Sequence, residues 1–356
     1  MMLNVNTKIV YYSLAYKGLH KKYSHFSVNF FYNTSVVLQG RLRVPRRARS
    51  INIRYYSTSM KLNPFFVTGF IDAEGSFIVS VILDSAHKVG WAVKPAFVIG
   101  LHKKDLTLLE DLKSFFGGIG KVSVFKDSAR FRVTSVQDLT KVIIPFLDNY
   151  SLITKKRADF ELLKKTVDML NCKEHRTIEG LHKIVAIKAS INKGLSPQLT
   201  SVFSNIPKVS RPSVQSQIID PNWVAGFASG DGGFLVRVVK SSTYNIGFQT
   251  SLLFSITQHS RDGELMQNLV SYLGCGAYFP RKNKDIGEYM VTKFSDIANK
   301  IIPFFDKYPI LGVKSKDFSD FKQVALLFES KAHLTPEGID KIRQIKTKMN
   351  RGRIID

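Results

Sequence analysis

Val67-Thr68-Gly69-Phe70-Ile71-Asp72-Ala73-Glu74-Gly75 is matched, 157 residues further on, by Val224-Ala225-Gly226-Phe227-Ala228-Ser229-Gly230-Asp231-Gly232. Each stretch is short and apolar and closes on an acid and a glycine. Gly69 with Ala73, and Gly226 with Gly230, share one face of a helix at that spacing. Residues this small let a second backbone come close. In a chain that carries two copies, the natural partner of each helix is the other copy. Packing the small faces together brings Glu74 and Asp231 side by side at the helix C-termini. There the carboxylates repel each other and meet the negative ends of both helix dipoles. A divalent cation relieves both conflicts, and oxygen ligands suit Mg2+, with Mn2+ as the alternative. Gly75 and Gly232 are suited to end the helices. Read singly, either stretch is equally a small-residue helix with an exposed acid; two in matched contexts favour a shared site. Asp72, whose counterpart is Ser229, reads as structural.

The repeat extends through most of the chain. Ile99-Gly100-Leu101-His102 pairs with Ile256-Thr257-Gln258-His259 at the same offset. Ile143-Ile144-Pro145-Phe146 pairs with Ile301-Ile302-Pro303-Phe304, and Asp159-Phe160 with Asp317-Phe318, at an offset of 158. Lys173 to Thr177 pairs with Lys331 to Thr335, and Ile191-Asn192-Lys193-Gly194 with Met349-Asn350-Arg351-Gly352. A one-residue length change explains the drift. In the first half, alternation predicts strands over 76–83, 91–101, 121–125 and 129–133. Helical spacing predicts helices over 105–116, behind an Asp105 cap, and over 137–146, 155–170 and 177–192. The fold class is therefore α+β, with two pseudo-symmetric αββαββα halves and extra helices. The expected division is a basic leader over 1–60, a first half over 61–193, a linker over 194–220 and a second half over 221–356. The linker holds Pro197, Pro207, Pro212 and several serines.

The chain carries a net charge of +24 and a pI of about 9.9. Residues 1–60 hold ten basic residues and no acid, which leaves +14 on the other 296 residues. A body this basic calls for a polyanionic partner, nucleic acid before an anionic membrane surface. No apolar run is long enough to cross a bilayer. The Arg-, Ser- and Tyr-rich stretch from Arg46 to Ser59 looks like a mitochondrial targeting segment; a basic arm on DNA and residual fused sequence are the alternatives. Cys172 and Cys275 stand far apart without a partner motif, so buried free thiols are expected rather than a disulfide or a zinc site.

The two nine-residue stretches resemble the paired LAGLIDADG motifs of single-chain homing endonucleases of the fungal mitochondrial, intron-encoded type. The resemblance runs from about Leu62 to Arg353. It implies a monomer with an internal pseudo-two-fold that hydrolyses phosphodiester bonds at a long, specific site in double-stranded DNA. It implies LAGLIDADG helices at the interface of the halves and a DNA-binding β-saddle in the major groove. Glu74 and Asp231 would hold the metal, with Ala73 and Gly230 counted in the same metal site. Gln258 would support catalysis from the end of the second strand, and Lys293 from beyond the fourth. The first half departs from the pattern, with Leu101 in place of Gln258 and Ser135 near the match of Lys293, which implies unequal handling of the two strands.

Alternation alone leaves both faces of the first strand partly apolar. The resemblance assigns Ser76, Ile78, Ser80, Ile82 and Asp84 to DNA, and Gly233, Leu235, Arg237, Val239 and Ser241 in the second half. Arg237 is the clearest base reader, because arginine pairs two acceptors on guanine. Lys94, Lys121, Lys126, Arg130, Arg132, Lys240, Arg281 and Lys282 read as a group that holds phosphates. His102 and His259, at strand ends, read as structural. Two other functions use the same scaffold: an intron RNA-splicing maturase, and a non-catalytic DNA-binding protein, which the loss of either acid would favour.

Overall fold

Asn63 and Asp220 open the two repeated helices in the same way. A computed structural model describes residues 62–353 other than 219 and 283; the leader over 1–60, with its targeting reading, lies outside the described residues. Helix α1 (Pro64–Glu74) starts where the Asn63 carboxamide accepts from the Phe65 amide at 2.8 Å. Its repeat, described below as α8 (Pro221–Asp231), starts where the Asp220 carboxylate accepts from Asn222 at 2.7 Å. Proline at the first helical position spares an amide that would have no partner.

From α1 the chain runs directly into β1 (Gly75–Leu83) and then β2 (Trp91–His102), α2 (Leu106–Phe115), β3 (Lys121–Phe125) and β4 (Ser128–Val133). Next, α3 (Val136–Asp138) passes through a π-helical turn into α4 (Ile144–Asn149), followed by α5 (Lys156–Asn171), α6 (Ile178–Ser190) and α7 (Pro197–Val202). Apart from α7, which lies between the halves and has no counterpart among the described residues, the second half repeats the order as α8, β5 (Gly232–Lys240), β6 (Phe248–His259), α9 (Gly263–Leu273), β7 (Ala277–Pro280) and β8 (Ile286–Val291). Helices α10 (Phe294–Asp296), α11 (Ile302–Lys307), α12 (Lys314–Glu329) and α13 (Pro336–Thr347) complete it. Each half holds one antiparallel sheet, ordered β1-β2-β4-β3 and β5-β6-β8-β7.

One face of each sheet packs on its own helices. Phe77, Val79 and Val81 of β1 are buried, and Phe77 packs against Phe97 of β2 and Phe160 of α5. Phe234, Phe254 and Phe318 form the same cluster in the second half. The repeated Asp-Phe pairs gain their meaning here. Buried Asp159 accepts from the Asn192 amide at 3.1 Å, and Asp317 from the Asn350 amide at 2.9 Å. Asn192 and Asn350 both take a left-handed backbone, with φ of 51° and 54°, and each side chain donates to a β-strand carbonyl, Phe77 O or Phe234 O. Those asparagines pin the chain beyond the last helix of each half onto its first strand.

The halves meet through α1 and α8. A Cβ placed on Gly69 would lie 2.0 Å from the Trp223 carbonyl oxygen, and one on Gly226 2.0 Å from that of Phe66. Backbone therefore touches backbone, as the small-residue faces require. Gly75 and Gly232 end the two helices, as expected of them. With φ of −70° and −74° they are extended and begin a strand at once. Glycine is needed because a Cβ would meet Ile71 O at 2.7 Å or Ala228 O at 2.5 Å.

Asp105 departs from the capping role expected of it. It stands before α2 but makes no capping bond; its carboxylate crosses the interface to accept from Val313 N at 2.6 Å. Asp262 does the same toward Lys155 N, at 2.7 Å. A charge-assisted bond to the other half outcompetes a local, solvated cap. Between the halves, residues 194–220 are anchored to the core. Leu199, Phe203, Val214 and Ile218 are buried, Phe203 packs on Trp91, and Arg211 donates to Asp159 at 2.8 Å. Of the two thiols, Cys275 is buried beside Tyr289 as expected, whereas Cys172, at the end of α5, is exposed.

Candidate active site

Because α1 and α8 touch at their glycines, their C-terminal acids are neighbours. A Cβ on Gly230 would lie 2.3 Å from Ala73 Cβ and 3.4 Å from Glu74 Oε1. Burial pushes the Glu74 carboxyl above its usual range, against the pull of Lys314 and Lys156. Burial, and then the Glu74 charge, push Asp231 up to about 6. Both acids thus hold their protons more tightly than in water, because the site is partly dry.

Two lysines reach the same helix ends. Lys156 Nζ, from the start of α5, donates to the Ala73 carbonyl at 2.8 Å and the Ile71 carbonyl at 3.3 Å. Lys314 Nζ, from the start of α12, donates to the Gly230 carbonyl. Each therefore caps the last turn of a motif helix, where its negative pole lies. Burial lowers both amines, while the charges of Asp72, Asp231 and Glu74 near Lys156, and of Asp231 and Glu74 near Lys314, oppose it. Sequence reasoning missed both residues. The signal existed, since each lysine stands three residues before a repeated Asp-Phe pair.

Gln258 donates from Nε2 to Asp231 Oδ2. In the first half Leu101 holds the equivalent place, and among the described residues Glu74 receives no side-chain hydrogen bond. Lys293 is not brought to the acids. It is exposed at the N-cap of α10, where Ser135 stands in the first half, and the amines beside the carboxylates are Lys156 and Lys314. Asp72 is buried and structural: it accepts from Ile153 N at 3.0 Å, from both donors of Thr154, and from Trp223 Nε1 at 2.8 Å. Its counterpart Ser229 accepts from Leu311 N at 3.0 Å. His102 and His259 accept from the amides two residues on, at 3.2 and 3.1 Å, and so cap short turns.

Two clefts open on either side of Glu74. One, of about 970 Å3, is lined by Lys104, Lys314 and Lys346; the other, of about 500 Å3, by Arg130, Lys156 and Arg261. Lys104 and Arg261 are equivalent residues, and each serves the cleft that holds the other half's lysine. Lys104 Nζ also donates to the Arg353 carbonyl at 2.5 Å.

The burial pattern decides the strand faces that alternation left open. Ser76, Ile78, Ser80 and Ile82 lie on the uncovered face of β1, and Gly233, Leu235, Arg237 and Val239 on that of β5. Lys94, paired with Ser80, shares the first of these faces, and so do Arg132 and Lys121, in the row of Ser76. Arg130 follows two residues before Arg132. Ser241 and Asp84 lie beyond the strands, and each holds a turn: Ser241 N donates to Gly247 O at 3.0 Å, and Asp84 accepts from Ala86 N at 3.1 Å. Arg281 and Lys282 are exposed in the turn between β7 and β8.

A duplicated α+β scaffold with two acids where its helices abut defines a two-motif nuclease-like class. The LAGLIDADG endonuclease profile matches residues 67–167 and again 224–325, and the chain belongs to that family. It is 40% identical over 81% of its length to probable intron-encoded endonuclease 3 of Neurospora crassa, and 39% identical over 81% to probable intron-encoded endonuclease 2 of the same fungus. It spans 54% and 65% of the lengths of those two relatives. Among solved structures it resembles the I-SmaMI LAGLIDADG homing endonuclease bound to cleaved DNA, with a TM-score of 0.81 and 49% identity, covering 83% of this chain and 99% of that one. I-SmaMI has also been solved with uncleaved target in the presence of calcium ions. I-LtrWI, bound to target DNA, matches with a TM-score of 0.80 and 38% identity, covering 82% of this chain and 98% of that one.

Proposed function

We propose that this chain is a site-specific endonuclease of double-stranded DNA that works as a monomer with a divalent cation, Mg2+ or in its place Mn2+, between Glu74 and Asp231. One observation carries the reading: two half-buried carboxylates at abutting helix ends, each with a lysine ammonium beside it. The donor set fits a hard cation, for it consists of carboxylate oxygens and the Ala73 and Gly230 carbonyls, which keep a lone pair free beside their lysine bonds. Such a cation would supply an activated water and stabilise the leaving oxygen of the phosphodiester.

Glu74 and Asp231 orient that centre, and the Gln258 amide holds Asp231 in one rotamer. Lys156 and Lys314, anchored on helix-end carbonyls, supply positive charge for the phosphate oxygens. Their lowered pKa values suit them to hand a proton to the departing 3′ oxygen. This assigns to Lys156 and Lys314 the role expected of Lys293. The two clefts serve one strand each. The duplex lies along the uncovered sheet faces. In the first half Ser76, Ile78, Ser80, Ile82, Lys94, Arg130 and Arg132 meet it. In the second half Gly233, Leu235, Arg237, Val239, Ser241 and Lys282 do so. Relatives encoded in introns of ND4 and cox1 support a mitochondrial setting.

The test is cleavage of a randomised duplex library with Mg2+ or Mn2+, followed by sequencing. Glu74→Gln and Asp231→Asn should keep binding to the selected site and lose cutting. Failure of the unaltered protein to cut any sequence overturns the reading. Intron RNA is a second ligand favoured by the intron-encoded relatives; splicing retained by the Glu74→Gln protein would support it.

A further inference from the structure

An acid stands on the uncovered face of the second sheet where the first sheet has an arginine. In one register row of the first half, Gly100, Arg130 and Ser123 pair across β2, β4 and β3. The matching row of the second half is Thr257, Glu288 and Phe279, across β6, β8 and β7. Glu288 lies on the face of Arg237, because Thr257 and Ser251, the partner of Arg237, are an even number of residues apart on β6. The Glu288 side chain is only 12% exposed, and its carboxylate accepts from Nη2 of Arg281, whose own side chain is 57% exposed. Arg281 follows β7, and its backbone amide donates to Ile286 O at 3.0 Å, so the hairpin beneath it is fixed as well.

This pair makes a poor phosphate clamp. A negative charge on a surface that meets a polyanion weakens attraction, and here it also cancels the charge of Arg281. Among the described residues Arg130 and Arg132 have no such partner. What the pair does provide is a guanidinium held in place, with four of its five N–H groups still available. A pre-positioned fork that faces a major groove is suited to a bidentate acceptor pair on a base edge.

We propose that Arg281 is a specificity-determining residue that reads a guanine through O6 and N7 in the half-site under β7 and β8, with Glu288 as its positioning residue. The proposal rests on the nuclease reading above, and it moves Arg281 out of the group expected to hold phosphates.

Cleavage profiles over a target library randomised one base pair at a time test it, with unaltered protein, Arg281→Lys, Glu288→Gln, the double variant and Arg132→Ala. Arg281→Lys changes an exposed side chain and keeps its charge, so folding is not at issue. It should relax discrimination at one G·C pair about tenfold or more. Glu288→Gln should relax the same pair, and the double variant should be no looser than Arg281→Lys alone. Arg132→Ala should weaken all targets alike and reduce the salt dependence by about one counterion. An unchanged profile for Arg281→Lys, or a uniform loss over all targets for Glu288→Gln, overturns the proposal. An unaltered protein that cuts nothing overturns the nuclease reading instead.

Discussion

Replacing Asp231 by asparagine should make the metal-free protein more stable at neutral pH while abolishing cleavage. Burial and the neighbouring Glu74 raise the Asp231 carboxyl from 3.8 to about 6. A carboxyl whose folded pKa lies above its unfolded value holds its proton more tightly in the folded state. The fold therefore loses stability as pH rises from about 4 through 6, and does not regain it above. A shift of about two units corresponds to about 3 kcal/mol at neutral pH. Asparagine removes that penalty but also removes a charge that helps keep Lys156 and Lys314 protonated. The net gain is then about 1–3 kcal/mol, or a rise in Tm of roughly 2–8 °C for a chain of this size. Thermal unfolding in EDTA at pH 7.5 and pH 4.5 measures it. At pH 4.5 the gain should shrink to about a third, because the wild-type carboxyl is then protonated in the folded state. Added Mg2+ should raise the wild type more than the variant, since only the wild type keeps both acids. A variant that melts at or below the wild type in EDTA at pH 7.5, or an equal gain at both pH values, would refute the reasoning.

Three further outcomes follow from the geometry. Gly226→Ala places a methyl 2.0 Å from the Phe66 carbonyl oxygen, so the halves must part; urea denaturation should show a loss of about 3 kcal/mol or more, with cleavage lost as well. Lys156→Met and Lys314→Met should each slow single-turnover cleavage by about 100-fold while leaving DNA affinity within a few-fold, because each removes a charge beside the reacting phosphate. Glu74 lacks the amide that Gln258 offers Asp231, so nicked plasmid should accumulate before linear product, and Leu101→Gln should shorten the life of the nicked species in a supercoiled-plasmid assay.

The helix pair was legible in the sequence because its evidence is local and doubled. Small residues four apart and a terminal acid recur at a fixed offset, and only close helix contact explains both. Strand positions were legible too, but not the face of β1: Ser76 and Ile78 alternate with Phe77 and Val79, and both sets contain apolar residues. Packing of Phe77 on Phe97 and Phe160 decides that face. Asp105 looked like a helix cap because the pattern of a cap is local, whereas its real partner, Val313 N, is 208 residues away. Gly75 was legible as the end of its helix, but the strand that begins there at once and the steric reason for glycine belong to the tertiary structure.

The lysines mark the boundary most clearly. Lys156 and Lys314 stand at equivalent places in the repeat, yet nothing in the sequence ties them to the helix-end carbonyls of Ala73 and Gly230, 83 and 84 residues earlier. By itself the sequence determined the duplication, the contact of α1 with α8 and hence the meeting of Glu74 with Asp231, since periodicity and residue size decide helix packing. Which amines sit beside those acids, which strand face is left uncovered and which arginine is held by an acid were decided only by the tertiary structure, because each depends on contacts between residues that no local pattern links.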